Sequence, residues 1–386
     1  MSALQKLHLG HPVKMGVYNG KQVPACYSQP EKEYRAAREN MLLTDFSHLS
    51  IVSVMGDDAW SLVNHMTSAD ISIIRDEQGI YSLLLNEDGT IWGDVYVLCT
   101  SDGYYLLSEN RNAAELIERL NYILDHYPQL DIQQRPVIHA MDTDSWGAIQ
   151  LEGPYAWELL AENYGYDIIG LPYHEYMNTD DELLVFRCGK HGEFAYLLIG
   201  ERQVLAESWQ QLQAIGAKFD LVTGGLNYQQ TARVENPCWD PAIYSDYSIN
   251  PVELQMQWAI QYDKEDFIGK QGVEALSAGN VKSKLVGILP LSGCCAINIR
   301  DEVTVDGKVV GMVINSVYSP MLQSTIALAL IDNEFACSDI TGYHIATQQG
   351  EVAARTHNLP FIYNFSLLVN PTEHSYIDTA KEKSAL

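Results

Sequence analysis

The chain has 386 residues, of which 50 are acidic and 24 basic, giving a formal net charge of −26 at 47% hydrophobic content. That charge repels phosphate backbones and anionic membrane surfaces, so neither nucleic acid nor a membrane is expected as a partner. The apolar content is enough for two or three compact units with their own cores.

Seven cysteines, Cys26, Cys99, Cys188, Cys238, Cys294, Cys295 and Cys337, form an odd set without CxxC or any metal-type spacing. Reduced cytoplasmic thiols and no metal are the expectation. The start, MSALQKLHLGHPVKMG, has no apolar run of signal-peptide length. Nowhere do about eighteen apolar residues follow one another, so a soluble protein is expected. P-loop, GxGxxG, HExxH and GxSxG patterns are all missing. Any chemistry must come from another kind of site.

In chain order, Glu31 to Asn40 has helical spacing, and Thr44 to His48 breaks it. Leu49 to Met55 alternates like a strand. Asp57 to Met66 is a helix with Asp57 or Asp58 as its N-cap. Strands follow at Gly79 to Leu85, Ile91 to Cys99 and Tyr104 to Glu109, then a helix at Ala113 to His126. That run suggests a ferredoxin-like or related α+β unit.

Within it, NEDGTIWGDVYVL (86 to 98) begins with a polar turn and continues as a strand. Trp92, Asp94, Tyr96 and Leu98 share one parity, which puts a carboxylate beside two aromatics and a leucine. Taken alone, Asp94 is a solvent-facing acid on an edge strand. The alternative is a carboxylate at work in a pocket.

Further on come a strand at Trp146 to Leu151, a helix from Gly153-Pro154 to Asn163, a hairpin around Leu183 to Ile199, and helices at Arg202 to Ile215 and Leu226 to Glu235. From Lys282 strands dominate: Lys284 to Leu289, Glu302 to Val305, Val309 to Tyr318, Ser324 to Ile331 and Asp339 to His344. Asp306-Gly307 marks a hairpin turn. A small carboxy-terminal β-barrel is expected, with a tail over the last dozen or so residues.

Several motifs in order carry a resemblance: EYRAARENMLLTDFSHL (33 to 49), YSLLLNEDGTIWGDVYVL (81 to 98), LEGPYA (151 to 156), CGKHGEFAY (188 to 196), ARVE (232 to 235), NPVELQMQWAI (250 to 260), DFIGK (266 to 270) and NSVYSPMLQSTIALALI (315 to 331). Together they resemble the folate-dependent aminomethyltransferases typified by the T-protein of the glycine cleavage system, with its one-carbon demethylase relatives. The resemblance runs from Val17 to about Phe365. It implies an α+β fold, a three-domain ring of two ferredoxin-like α+β units plus a C-terminal β-barrel, around a central folate site. The implied boundaries are 1–50 with 140–275, 51–139, 280–370, and a tail at 371–386.

By the same resemblance Asp94 takes the place of the catalytic aspartate, while Gly93 replaces an acid that commonly precedes it. Chemistry supports that role: one-carbon transfer builds positive charge that a fixed carboxylate stabilises, and the carboxylate can also orient an amine or take its proton. Leu49, Tyr81 and Asn86 fall where the family lines its cavity, and Trp258 matches an aromatic that walls the folate. Three positions depart from the family. Leu197 stands where a glutamate binds the pterin edge, Lys190 replaces a tyrosine, and Gln229 replaces an arginine. Glu109, otherwise a surface acid at a strand end, is a candidate substitute carboxylate for folate. His48 is expected to be a structural histidine in a turn, and Cys294-Cys295 to sit in the barrel or its loops without a basic neighbour to activate it.

The resemblance implies tetrahydrofolate as cofactor and one-carbon transfer as reaction. The acidic balance disfavours docking of an acidic lipoyl carrier protein and favours a free small-molecule substrate. Two alternatives stand beside this: an enzyme on the same fold that has lost folate and uses Asp94 on another substrate, and a non-catalytic folate-binding maintenance protein. The second of these lacks its cysteine-containing KGCYxGQ-type signature here.

Overall fold

The computed structural model describes residues 3–383 apart from 144, 248, 280 and 364, so the last three residues of the expected tail lie outside the described residues. The chain divides into two units. The first comprises Met1–Leu84, Asp94–Tyr228 and Asn364–Leu386; the second comprises Leu85–Gly93 and Gln229–Tyr363.

A five-stranded antiparallel sheet holds the strands Gly79–Leu85, Ile91–Thr100, Gly103–Ser108, Ser50–Met55 and Val137–Ala140, in that order across the sheet. Ile91–Thr100 is therefore an interior strand. Val95 and Val97 on one face are as buried as Tyr96 and Leu98 on the other. Both faces are covered, so the alternation of the sequence does not divide core from solvent here. Helix Ala113–His126 follows, with Asn112 and Glu115 forming a reciprocal capping box at its start.

A six-stranded sheet of the first unit has the order Tyr176–Asn178, Leu184–Cys188, Ala195–Glu201, Trp146–Glu152, Leu42–Asp45 and Val222–Gly224. Its pairings are antiparallel except the last, which is parallel. Helices Ala156–Tyr164 and Arg202–Gly216 bury Trp157, Leu159, Leu160, Leu205, Trp209 and Leu212 with Ile149, Leu151 and Leu198 of this sheet. After residue 364 the chain packs on the same unit: Tyr376 N donates to Glu158 Oε2 at 2.7 Å, and Tyr376 OH donates to Asp220 Oδ2 at 2.7 Å.

Two local outcomes differ from the expectations. Asp58 does stand at the N-cap of helix Ala59–Met66, but its side chain caps nothing. Its carboxylate instead accepts the backbone N–H groups of Gln133 and Gln134, each at 2.7 Å. A second hairpin, Lys14–Tyr18 with Lys21–Cys26, turns through Asn19-Gly20, both at positive φ.

The second unit contains a closed six-stranded barrel. Its order is Ser283–Pro290, Ser324–Asp332, Lys308–Ser319, Glu302–Val305, Thr341–Thr347 and Gly350–His357, which returns to Ser283–Pro290. The sixth strand, absent from the sequence expectation, closes it. Asp306-Gly307 makes the expected two-residue turn, with both residues at positive φ. The barrel interior is aliphatic, with Val286, Ile288, Val303, Val313, Ala329 and Ile345 almost wholly buried.

The polar turn at 86–90 is also part of this unit. Asn86 N donates to Thr90 O at 2.9 Å and Gly89 adopts φ +84°. A Cβ on Gly89 would lie 2.5 Å from the Val273 nitrogen, backbone that cannot swing aside. Gly89→Ala is therefore expected to lower unfolding free energy by about 1–3 kcal/mol in urea titration, and an unchanged midpoint would contradict this packing.

Candidate active site: a clamped carboxylate

Asp94 has no exposed surface. It sits on the interior strand Ile91–Thr100, and its carboxylate is fully engaged. Tyr81 OH, from the neighbouring strand, donates to Oδ2 at 3.0 Å; Asn110 Nδ2 donates to Oδ1 at 2.9 Å; Lys190 Nζ donates to Oδ2 at 2.6 Å. A carboxylate in this position loses its hydration, and an ammonium with two neutral donors offsets that loss. The solvent-facing edge-strand reading of Asp94 is thereby set aside.

Each partner has its own support. Ser108, where the strand Gly103–Ser108 ends, donates to the Asp94 carbonyl at 2.9 Å and accepts the N–H groups of Asn110 and Arg111. That local turn aims Asn110 back at Asp94. Lys190 lies in the loop between strands Leu184–Cys188 and Ala195–Glu201, flanked by Gly189 at φ +133° and Gly192 at φ +86°. The Gly189 carbonyl accepts Tyr96 OH at 3.2 Å and Tyr173 OH at 2.9 Å. On the far side, the His191 carbonyl accepts Arg38 Nη1 at 2.7 Å.

Lys190 also reaches Glu109 Oε1 at 3.1 Å, and Glu109 Oε2 lies 3.7 Å from His48 Nε2. The ammonium is 5.7 Å from the ring centroids of both Tyr81 and Tyr96. Its side chain is 8% exposed. The fold thus brings Asp94, Tyr81 and Glu109 together, and Lys190, Asn110 and Tyr96 complete the cluster. Lys190 is 96 residues from Asp94 in the chain, and no local spacing links the two.

The remaining residues singled out in the sequence lie as follows. Leu49 is buried, and its carbonyl accepts Lys21 Nζ at 3.1 Å. Trp258 sits on a short 3-10 turn of the second unit and is 71% exposed. His48 is buried against Phe46, with ring centroids 4.5 Å apart, and its contact with Glu109 gives it more than a turn role. Leu197 is a buried aliphatic residue of strand Ala195–Glu201. Gln229 is buried, and its Nε2 has no partner among the described residues. Cys294 is exposed, and burial with the neighbouring Cys294 pushes the Cys295 thiol up. Among the described residues no group of three His, Cys, Asp or Glu is arranged to hold a metal, and no helix is long and apolar enough to cross a membrane.

A buried polar network backs the Lys190 loop. His191 Nδ1 donates to Glu152 Oε1 at 2.8 Å, and Tyr228 OH donates to Glu152 Oε2. Burial would raise the Glu152 carboxyl, but the His191 charge, the His191 and Tyr228 hydrogen bonds and the Arg38 charge hold it below the usual glutamate range. Arg38 also pairs with Glu193 at 3.1 Å; burial still keeps the Glu193 carboxyl raised, against the pull of Arg38 and Ser366. Burial, then Glu109, pushes the Cys188 thiol well up.

Beside the same loop lies a cavity of about 280 Å³. Tyr173, Arg187, Gly189, Phe194 and Leu367 are among its lining residues, with the Arg187 guanidinium 4.8 Å from the Phe194 ring centroid. Burial, then Cys188, pushes the Tyr173 hydroxyl up to about 12, so it serves as a donor. His174 stacks on Tyr173 at 3.9 Å and meets Tyr96 edge-on at 5.4 Å.

A mixed α/β unit around a carboxylate of this kind, together with a closed barrel, is an aminomethyltransferase-type fold. A crystal structure of the glycine cleavage system aminomethyltransferase T from Bartonella henselae superposes with a TM-score of 0.79 at 20% identity, covering 93% of this chain and 97% of that one. The chain belongs to the glycine cleavage T-protein family: residues 4–264 match the GCVT N-terminal domain and residues 284–362 the glycine cleavage T-protein C-terminal barrel domain. Similar relatives include the aminomethyltransferase of Thermotoga petrophila, 30% identical over 86% of this chain and 89% of that protein. That of Lysinibacillus sphaericus is 28% identical over 83% and 86%.

His174 supplies a pH test of this packing. Burial lowers its pKa from 6.5 to about 4, so the folded state disfavours its proton. The stability this entails is complete above about pH 6.5 and is lost as pH falls toward about 4. His174→Phe is expected to flatten the urea stability profile across that window by up to about 3 kcal/mol. A variant whose stability falls as steeply with acid as the wild type would contradict the assignment.

Proposed function

We propose that the protein is a tetrahydrofolate-dependent one-carbon transferase acting on a free small molecule, with Asp94 as its catalytic carboxylate. The observation that carries this reading is the wholly buried Asp94, held by three donors and flanked by Tyr81 and Tyr96, in a chain whose relatives are aminomethyltransferases. Tyr173 lines a cavity of a size for one ring system and offers a flat aromatic surface to a pterin. Tetrahydrofolate supplies the nitrogen nucleophiles that accept the one-carbon unit.

The protein's part is electrostatic and positional. Tyr81, Asn110 and Lys190 fix the Asp94 carboxylate before any ligand arrives, so no reorganisation is needed when positive charge develops on the carbon in transit. Asp94 also orients an amine or takes its proton. Glu109 supports this arrangement through Lys190. The net charge of −26 supports a free substrate over an acidic protein carrier.

A second reading, the same fold acting without folate, is favoured by two observations: Leu197 places an aliphatic side chain where the family's glutamate is expected, and Glu109 is already bound by Lys190. Calorimetry with tetrahydrofolate separates the two. Saturable heat is expected, and no heat at millimolar ligand would favour the folate-free reading. Asp94→Asn is expected to lower kcat by on the order of 10²–10³ with any accepted one-carbon donor. Intact turnover in that variant would defeat both catalytic readings.

A further inference from the structure

Two carboxylates, Asp94 and Glu109, and the rings of Tyr81 and Tyr96 surround one position, and the chain's own ammonium occupies it. Acidic oxygens and aromatic rings around a single point are the chemistry that recognises an alkylammonium or sulfonium ion. Here that position is filled from within. Lys190 approaches Asp94 at 2.6 Å and Glu109 at 3.1 Å, with its side chain 8% exposed.

The loop that delivers Lys190 is held on both sides. Two tyrosine hydroxyls bind the Gly189 carbonyl before it, while Arg38 binds the His191 carbonyl after it. Glu152 fixes the His191 ring as well. These contacts come from different elements of the first unit and converge on a stretch of three residues. A lysine so placed is a resident counter-ion and not a side chain waiting to swing aside.

We propose that Lys190 is a specificity-determining residue: its ammonium fills the cation position at Asp94, so the site takes a one-carbon donor that is uncharged at the transferring centre, such as an ether or a neutral amine, and rejects quaternary ammonium and sulfonium donors. The charge balance gives the reason. Asp94 and Glu109 each give an oxygen to Lys190, so a second cation would have to share those oxygens with the ammonium at close range and meets its repulsion. A neutral donor meets no such repulsion, and the fixed carboxylate remains in place to stabilise charge that appears only during transfer.

This proposal deepens the transferase reading, and its test is independent of that reading because it uses neither folate nor turnover. Binding of tetramethylammonium chloride is measured by calorimetry at constant ionic strength, with tert-butyl alcohol as the neutral probe of similar shape. Wild type and Lys190→Arg are expected to show no saturable binding of the cation. Lys190→Met and Lys190→Gln, each checked for a cooperative thermal melt, are expected to bind tetramethylammonium at least tenfold more tightly than wild type and more tightly than the alcohol. Folded variants that bind the cation no better than wild type would overturn the proposal. Saturable binding to the wild type itself would overturn it too, whatever the variants do.

Discussion

The ion pair between Asp94 and Lys190 is the constraint around which the first unit is arranged. A carboxylate with no exposed surface loses the whole of its hydration, and only close donors offset this. Removing one member of such a pair costs about 3–5 kcal/mol, because the other is left buried with uncompensated charge. The two members come from the two larger sheets of that unit: Asp94 from the interior of one, Lys190 from a loop of the other. The pair therefore ties sheet to sheet at the point where the chemistry is proposed to occur.

Backbone and neutral contacts also join these two sheets. Gly79 N donates to His174 O at 2.6 Å, and Tyr176 OH donates to Cys99 O at 2.8 Å. Such bonds fix the relative placement of the sheets at modest net free energy. Against that background, Ser108 aims Asn110, and Tyr96 and Tyr173 hold Gly189. Preorganisation of this kind is what separates a working carboxylate from one that is merely buried.

Much of the fold was legible because local signals agreed with the outcome. Helix Ala113–His126 matches the expected span, strand Ile91–Thr100 runs one residue past it, and the turn at Asp306-Gly307 uses two positive-φ residues as that dipeptide predicts. The sixth barrel strand, Gly350–His357, was missed because it is half exposed and carries Glu351 and Arg355, so it shows no apolar run. The hairpin at Asn19-Gly20 carried a standard turn signal, obscured by a largely exposed first strand and a lysine at the start of each strand. At the site, Asp94 and Tyr81 were legible through strand parity and motif order. Lys190 was visible only as a departure from a tyrosine, since nothing in a linear chain reveals which carboxylate a distant lysine will meet. Trp258, matched by aligned spacing to an aromatic that walls the folate, is largely exposed.

A clamped carboxylate requires Asp94 and Lys190 to act as one unit. A double-mutant cycle in urea, built from Asp94→Asn, Lys190→Met and the combined variant, measures this directly. The two single substitutions are predicted to be non-additive, with the double variant less destabilised than their sum by at least about 1 kcal/mol. Additivity within experimental error would show that the two side chains do not depend on each other and would contradict the clamped-carboxylate site.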